Sequence, residues 1–348
     1  MKRARLFLLP FSLFYWLGVT VRNWFFDIGI LKTKKVSVPV ISVGNISAGG
    51  VGKTPFVELL IEKLAINGQL SVVSRGYGRK SIGTVVVSDG RGKLASVENS
   101  GDEPIQLALK YPELIVVVDE QRVRGAQKAV ALGAKMILLD DGFQHRYVHR
   151  DLNIVILTAE EILKGDVLLP SGNRREPLTS LKRADVIAVT RCADTKEYEH
   201  VCTVGRDCSL FPTNTPTIGL TTTLKALKRI SSNDIVQAQE FKNKNVIAFS
   251  GIGNPKSFED LLLKADINIV KHLSFSDHHW YKDNDLKVII DARKQTQAEF
   301  IITTEKDATR LRERFTQFLE MESVIVAEIQ MGILSGEQTL DELFNRLN

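Results

Sequence analysis

Hydrophobic positions in this chain gather into short runs rich in β-branched residues, separated by longer stretches with helical spacing. The runs are VSVPVISVG (36–44), LSVVS (70–74), TVVVS (84–88), LIVVVD (114–119), KMILLD (135–140), LNIVIL (152–157) and DVIAVT (185–190). Continuous apolar runs of this length predict strands buried on both faces. The segments between them, such as 55–68 and 120–133, have helical spacing. Strand and helix in alternation predict a mostly parallel α/β sheet with helices on both faces. Around residues 210–217 the chain turns to FPTNTPT, which predicts a domain boundary. Further runs follow at 246–251, 267–275, 299–306 and 323–330. The expected organisation is therefore a larger α/β domain over 36–212 and a smaller α/β domain over 213–348.

The first 35 residues have a different pattern. Residues 6–21, LFLLPFSLFYWLGVTV, are sixteen positions without a charge, preceded by Lys2, Arg3 and Arg5 and followed by Arg22. A spanning helix wants about 20 apolar residues, and this run is short and holds Pro10 and Gly18. It offers no small-residue cleavage site of a signal peptide. Basic flanks around an aromatic-rich run predict a membrane-associated helix over 1–35, lying in the interface. Phe7, Phe11, Phe14, Tyr15, Trp16, Trp24, Phe25 and Phe26 are its expected lipid-facing residues. The competing reading is a helix buried against the domain.

Composition narrows the partners only modestly. Hydrophobic residues make up 44% and charged residues 25%, and the net charge is +5. That suits an anionic partner. With no clustered lysine arm and no basic stripe interleaved with aromatics, nucleic acid is disfavoured. Cys192, Cys202 and Cys208 match no zinc spacing and fit a reducing cytoplasm.

The strongest chemical signal is VISVGNISAGGVGKTPF at 40–56. A strand, a glycine-rich loop and a helix starting near Lys53 form the context of a phosphate-binding P-loop. Backbone N–H groups of Ser47, Ala48, Gly49, Gly50, Val51 and Gly52 would close around phosphate oxygens of ATP. Lys53 would reach the β- and γ-phosphates, and Thr54 would ligate Mg²⁺. Ser47 stands where the general pattern has glycine, so the loop is a GGxGKT variant.

Magnesium also wants a carboxylate at a neighbouring strand end. Asp119 and the pair Asp140-Asp141 qualify, and the pair, followed by Gly142 and Gln144-His145, makes the richer site. Gly101-Asp102-Glu103-Pro104 reads equally as a helix start or as a catalytic carboxylate, since a kinase acting on an alcohol needs a group to take the hydroxyl proton. In Asp277-His278-His279 one histidine at most suits a site, with a surface loop as the other reading. LPSGNRREP (169–177) and SRGYGRK (74–80) are polar loops suited to an anion or to solvent.

Taken in order, VGNISAGGVGKTP, SRGYGR, GDEP, LDDGFQH, LPSGNRREP, FSDHHWY and TTEKDATRL closely resemble the tetraacyldisaccharide 4'-kinase family of lipid A biosynthesis, over residues 43–311. The resemblance implies transfer of the γ-phosphate of ATP to the 4'-hydroxyl of tetraacyldisaccharide 1-phosphate, giving lipid IVA. It implies a P-loop kinase-like fold whose second domain contributes to the site. The expected setting is the cytoplasmic face of a Gram-negative inner membrane, and the expected state is a monomer. Asp102 becomes the general base with His278 as its partner. Asp140 and Asp141 fall at the metal site with Glu176 nearby. Gln144 and Glu103 are expected near the nucleotide or metal, and Arg75, Tyr77 and Arg175 beside the substrate.

Two other classes compete. A P-loop ATPase switch or chaperone would use the same loop, although DVIAVTRCA (185–193) lacks the Asn-Lys-x-Asp element of a guanine-specific form. A membrane scaffold without catalysis would not need Lys53, Thr54, Asp102 and Asp140 together.

Overall fold

The apolar runs pair into one sheet. A computed structural model describes residues 7–65, 69–230, 232 and 234–347, so Lys2, Arg3 and Arg5 lie outside the described residues. The strands, in chain order, are β1 (Val40–Asn45), β2 (Leu70–Ser74), β3 (Val85–Asp89), β4 (Ile115–Val118), β5 (Met136–Asp140), β6 (Leu152–Thr158), β7 (Val186–Thr190), β8 (Thr217–Arg229), β9 (Ile235–Val236), β10 (Val246–Ser250), β11 (Ile269–Ser274), β12 (Phe300–Thr304) and β13 (Ile325–Ser335). Their order across the sheet is β11-β10-β12-β13-β8-β7-β6-β1-β5-β2-β4-β3, with β9 paired to β8. The β3–β4, β8–β9 and β8–β13 pairs are antiparallel, and the other pairs are parallel. Strand β1 begins at Val40, later than the apolar run. Pro39, which has no N–H to give a ladder, stands just before it.

The expected boundary falls just before β8, yet the sheet continues across it. Strand β8 pairs with β7 at one end and with β13 along most of its length. The helix Glu337–Asn345 returns to the first half, where Leu340 and Phe344 join the core formed by Phe56, Leu60 and Ile105. Because β8 and β13 are antiparallel, β10–β12 run opposite to β1. In a flat sheet their carboxyl ends would leave by opposite edges. They meet instead: a Cβ on Gly253, after β10, would lie 3.2 Å from the N of Gly50, after β1. The sheet therefore curls on itself, as strong strand twist allows, and brings two sets of strand ends to one cleft.

The N-terminal helix Leu9–Asp27 docks by its polar side. Ser12 Oγ donates to Leu168 O at 3.0 Å, Tyr15 Oη to Arg175 O at 3.0 Å, and Asn23 Nδ2 to Glu176 Oε2 at 3.0 Å. Arg22 donates to Gln144 O. Phe26 is buried against Tyr147. The other face is apolar and open: Phe11 is 61% exposed, Phe14 72% and Trp24 54%. This is the reverse of a helix packed on a core for Phe7, Phe11, Phe14, Trp16 and Trp24, while Tyr15 and Phe25 are half-buried and Phe26 is buried. No described helix is long and apolar enough to cross a membrane.

The start of the phosphate loop is locked by close packing. A Cβ on Gly44 would lie 2.6 Å from Phe143 Cβ and 2.7 Å from Phe143 N. Gly44→Ala is expected to overpack this contact and cost about 1–3 kcal/mol, read as a lower urea midpoint with an unchanged slope.

Candidate active site

The cleft between the two sets of strand ends has a volume of about 1670 Å³. On one wall, Gly52 (φ 91°) caps the helix Lys53–Leu64, a left-handed conformation that glycine adopts without strain. Phe56, Leu60 and Ile61 bury that helix against the sheet, which fixes its N-terminus at the cleft. Lys53 Nζ lies 3.1 Å from Asn45 Oδ1 and 3.4 Å from Asp141 Oδ1. Arg175 clamps Asp141 through two bonds of 2.9 Å and donates from Nε to Ser47 O at 3.0 Å. Burial pushes the Asp141 carboxyl up, but Arg175 and Lys53 outweigh it and hold it well below the usual range.

Asp140 beside it is the opposite case. Burial, with Glu103 and Asp141 close by, pushes its pKa up to about 7. Its Oδ1 is buried with no hydrogen-bond partner. Thr54 Oγ1 lies 3.4 Å from Glu103 Oε1. A buried orphan carboxylate oxygen near a threonine hydroxyl at a phosphate loop fits a nucleotide-bound Mg²⁺, which takes only one or two protein groups and completes its shell with phosphates and water. No group of three or more His, Cys, Asp or Glu suited to a metal occurs among the described residues.

The second half supplies the other wall. His278 Nδ1 lies 3.1 and 3.2 Å from the two oxygens of Asp102. An ionised carboxylate only accepts, so Nδ1 carries the proton. Arg310 donates to Asp102 Oδ2 through Nε at 2.7 Å and also through Nη2, and to Asp307 Oδ1 at 2.9 Å. Lys306 Nζ lies 3.0 Å from Glu103 Oε1 and 3.4 Å from His278 Nε2. Burial raises the Asp102 pKa, but the His278 hydrogen bond and the Lys306 and Arg310 charges outweigh it and hold the carboxyl far below its ordinary 3.8. Asp102 is 4% exposed. It sits behind His278, which lines the cleft together with Glu103 and Lys306.

The family model for tetraacyldisaccharide-1-P 4'-kinase (LpxK) matches residues 4–348. The chain belongs to that family. Proteins named tetraacyldisaccharide 4'-kinase include one from Chlorobium luteolum, 36% identical over 98% of this chain and 97% of that protein. Another, from Aquifex aeolicus, is 39% identical over 88% of this chain and 89% of that protein. The crystal structure of Aquifex aeolicus LpxK in complex with ATP matches this fold with a TM-score of 0.78, at 36% identity and over 99% of both chains.

Most residues singled out in the sequence converge. Ala48 to Thr54, Arg75, Tyr77, Glu103, Asp140, Asp141, Gln144, Arg175 and His278 all line the cleft, and the Tyr77 ring lies 4.8 Å from that of His278. Ser47, Glu176 and Asp102, which lies behind His278, do not. Glu176 is buried; its Oε2 accepts from Arg183 and from Asn23 of the N-terminal helix, while its Oε1 has no hydrogen-bond partner. The helix-start reading of Asp102 also changes: Gly101 is the cap and Asp102 the first helical residue. Asp119 is held by Arg124 and Thr84, away from the cleft. His279, left outside the site in the sequence reading, pairs with Asp285 at 3.0 Å.

Sequence reasoning missed Asn45, Lys306 and Arg310. The signal for the last two was present: TTEKDATRL puts Lys306 and Arg310 four apart, on one helix face. Arg310→Leu is expected to cost about 3–5 kcal/mol by stranding Asp102 and Asp307 as buried charges. A carboxyl with a depressed folded pKa contributes stability above its unfolded value and loses it in acid. The gap between wild type and variant, followed by urea melts, is therefore widest at neutral pH and narrows below pH 3.8.

Proposed function

We propose that the chain transfers the γ-phosphoryl group of ATP to the 4'-hydroxyl of tetraacyldisaccharide 1-phosphate, giving lipid IVA. The observation that carries this reading is the meeting, in one cleft, of a phosphate loop and a carboxylate–histidine pair, in a chain of this kinase family. The loop N–H groups and Lys53 hold the β- and γ-phosphates. Thr54 and Asp140 would hold Mg²⁺, which neutralises phosphate charge when bound, and Asp141 orients Lys53 and Arg175. The hydroxyl proton passes to the Asp102–His278 pair, of which His278 is the cleft-facing member. Gln144, Arg75, Tyr77 and Arg175 bound the remaining space, in which the acceptor sugar would lie.

The test follows label from γ-labelled ATP into lipid, using detergent-solubilised protein. Wild type is expected to label the disaccharide. Asp102→Ala and Lys53→Ala are each expected to lower the rate by about 10²-fold or more, as for loss of proton transfer or of a phosphate cation. Label released only as inorganic phosphate would favour an ATPase switch, and no turnover by a folded protein would favour a scaffold.

The open apolar face of the N-terminal helix supports a peripheral place on a membrane; the cytoplasmic face of the inner membrane and a monomeric state complete the proposed reading. Deleting the helix would also remove contacts to Gln144, Arg175 and Glu176. A cleaner test is Phe14→Ser with Trp16→Ser and Trp24→Ser. These changes are expected to move the protein from sedimented anionic vesicles to the supernatant while ATP binding is kept. Retention on the vesicles would refute the anchor.

A further inference from the structure

The cations around the cleft are not equally committed. Arg175 is fixed on Asp141 by two bonds, and Arg310 is fixed on Asp102 and Asp307. Lys53 belongs to the phosphate loop. Lys306 is held differently: one contact of 3.0 Å to Glu103, then 3.4 Å to His278 Nε2, 3.9 Å to Asp277 and 4.0 Å to Asp102. Burial works against its charge, but Glu103, Asp102 and Asp277 outweigh it and raise its pKa. It is therefore a charged lysine held by one short contact, to Glu103, and by three longer ones. Its position matters equally. Glu103 Oε1, which accepts from Lys306, also lies 3.4 Å from the hydroxyl of Thr54. Lys306 thus stands between the proton-accepting pair and the phosphate loop.

We propose that Lys306 is a catalytic cation delivered by the second half of the chain, its ammonium leaving Glu103 to bind the phosphoryl group in transit. The proposal rests on the kinase reading. In the transfer, the bond from the γ-phosphorus to the bridging oxygen of ATP breaks, and ADP leaves with that electron pair. The acceptor hydroxyl oxygen forms the new bond to phosphorus, and its proton goes to the Asp102–His278 pair. Negative charge spreads over the equatorial oxygens during this step, and a cation aimed there acts on the transition state more than on bound ATP. Movement of Lys306 also releases the His278 Nε2 lone pair that it faces. Because Lys306 is on the helix Glu305–Arg312, opposite the phosphate loop, it completes the site only where the two walls of the cleft meet.

Lys306→Met and Lys306→Arg in the full chain test this. Calorimetry would compare the affinity for MgADP alone with that for MgADP plus aluminium fluoride, a planar mimic of the phosphoryl group in transit. Wild type is expected to gain affinity with fluoride, and Lys306→Met to lose at least about tenfold of that gain while binding MgADP normally. Its kcat is expected to fall about 10²–10³-fold with KM for ATP little changed, and Lys306→Arg to recover part of both. A methionine variant that keeps the fluoride-dependent gain overturns the proposal. So does one that loses MgADP affinity equally with and without fluoride together with thermal stability, which would make Lys306 a structural tether of Glu103. A wild type with no such gain overturns it too. Failure of the kinase reading is seen separately, as wild type releasing phosphate without labelling lipid.

Discussion

The organising constraint in this molecule is the buried carboxylate of Asp102. A charge removed from water to this degree is tolerated only when it is paired and fully hydrogen-bonded. Asp102 opens a helix in the first half of the chain, and its partners His278, Lys306 and Arg310 all come from the second. The need to satisfy one carboxylate therefore fixes the two halves against each other. Arg310 extends the constraint: through Asp307 it reaches the N–H of Gly251, whose loop runs on to Gly253 against the phosphate loop. Chemistry and architecture share the same charges.

The N-terminal helix answers a different constraint with the same economy. Its polar atoms are spent on the backbone of residues 144, 168 and 175 and on Glu176, which leaves Phe11, Phe14, Trp16 and Trp24 exposed on the opposite face. Two of those anchoring residues, Gln144 and Arg175, also line the cleft. A helix that lay on lipid would therefore hold the cleft beside the bilayer, where an acylated sugar presents its hydroxyl. Glu176 takes part in that anchoring through its Oε2, which accepts from Asn23.

Much of this was legible along the chain, and what was not has identifiable reasons. The strands were visible because strands buried on both faces need unbroken apolar runs. The phosphate loop was visible because its chemistry depends on neighbours in sequence. The continuity of the sheet was hidden, since β8 and β13 pair across about a hundred residues and only their mutual register shows that the second half is carried round. The spacing of Lys306 and Arg310 was legible, but the carboxylate they serve was hidden for the same reason. An Arg in a polar helix reads as a solvated charge until a carboxylate from two hundred residues away is placed beside it. Glu176 is only half explained by its surroundings: Arg183 and Asn23 bind its Oε2, while its Oε1 is buried without a partner, as Asp140 Oδ1 is.

The distribution of charge also bears on why such a cleft would transfer a phosphoryl group rather than waste it on water. Acidic groups cluster where the metal and the hydroxyl proton are handled, namely Asp140, Asp102, Glu103 and Asp277. The cations Lys53 and Lys306 stand on opposite walls. A bound nucleotide meets only the first of them at the phosphate loop. The second becomes useful to the phosphates only when they come within reach of the wall that also carries His278. Stabilisation of the transition state and acceptance of the hydroxyl proton are then available at the same place and under the same closed geometry. A closed geometry of that kind would exclude bulk water and would leave a nucleotide complex without acceptor short of one cation and one base.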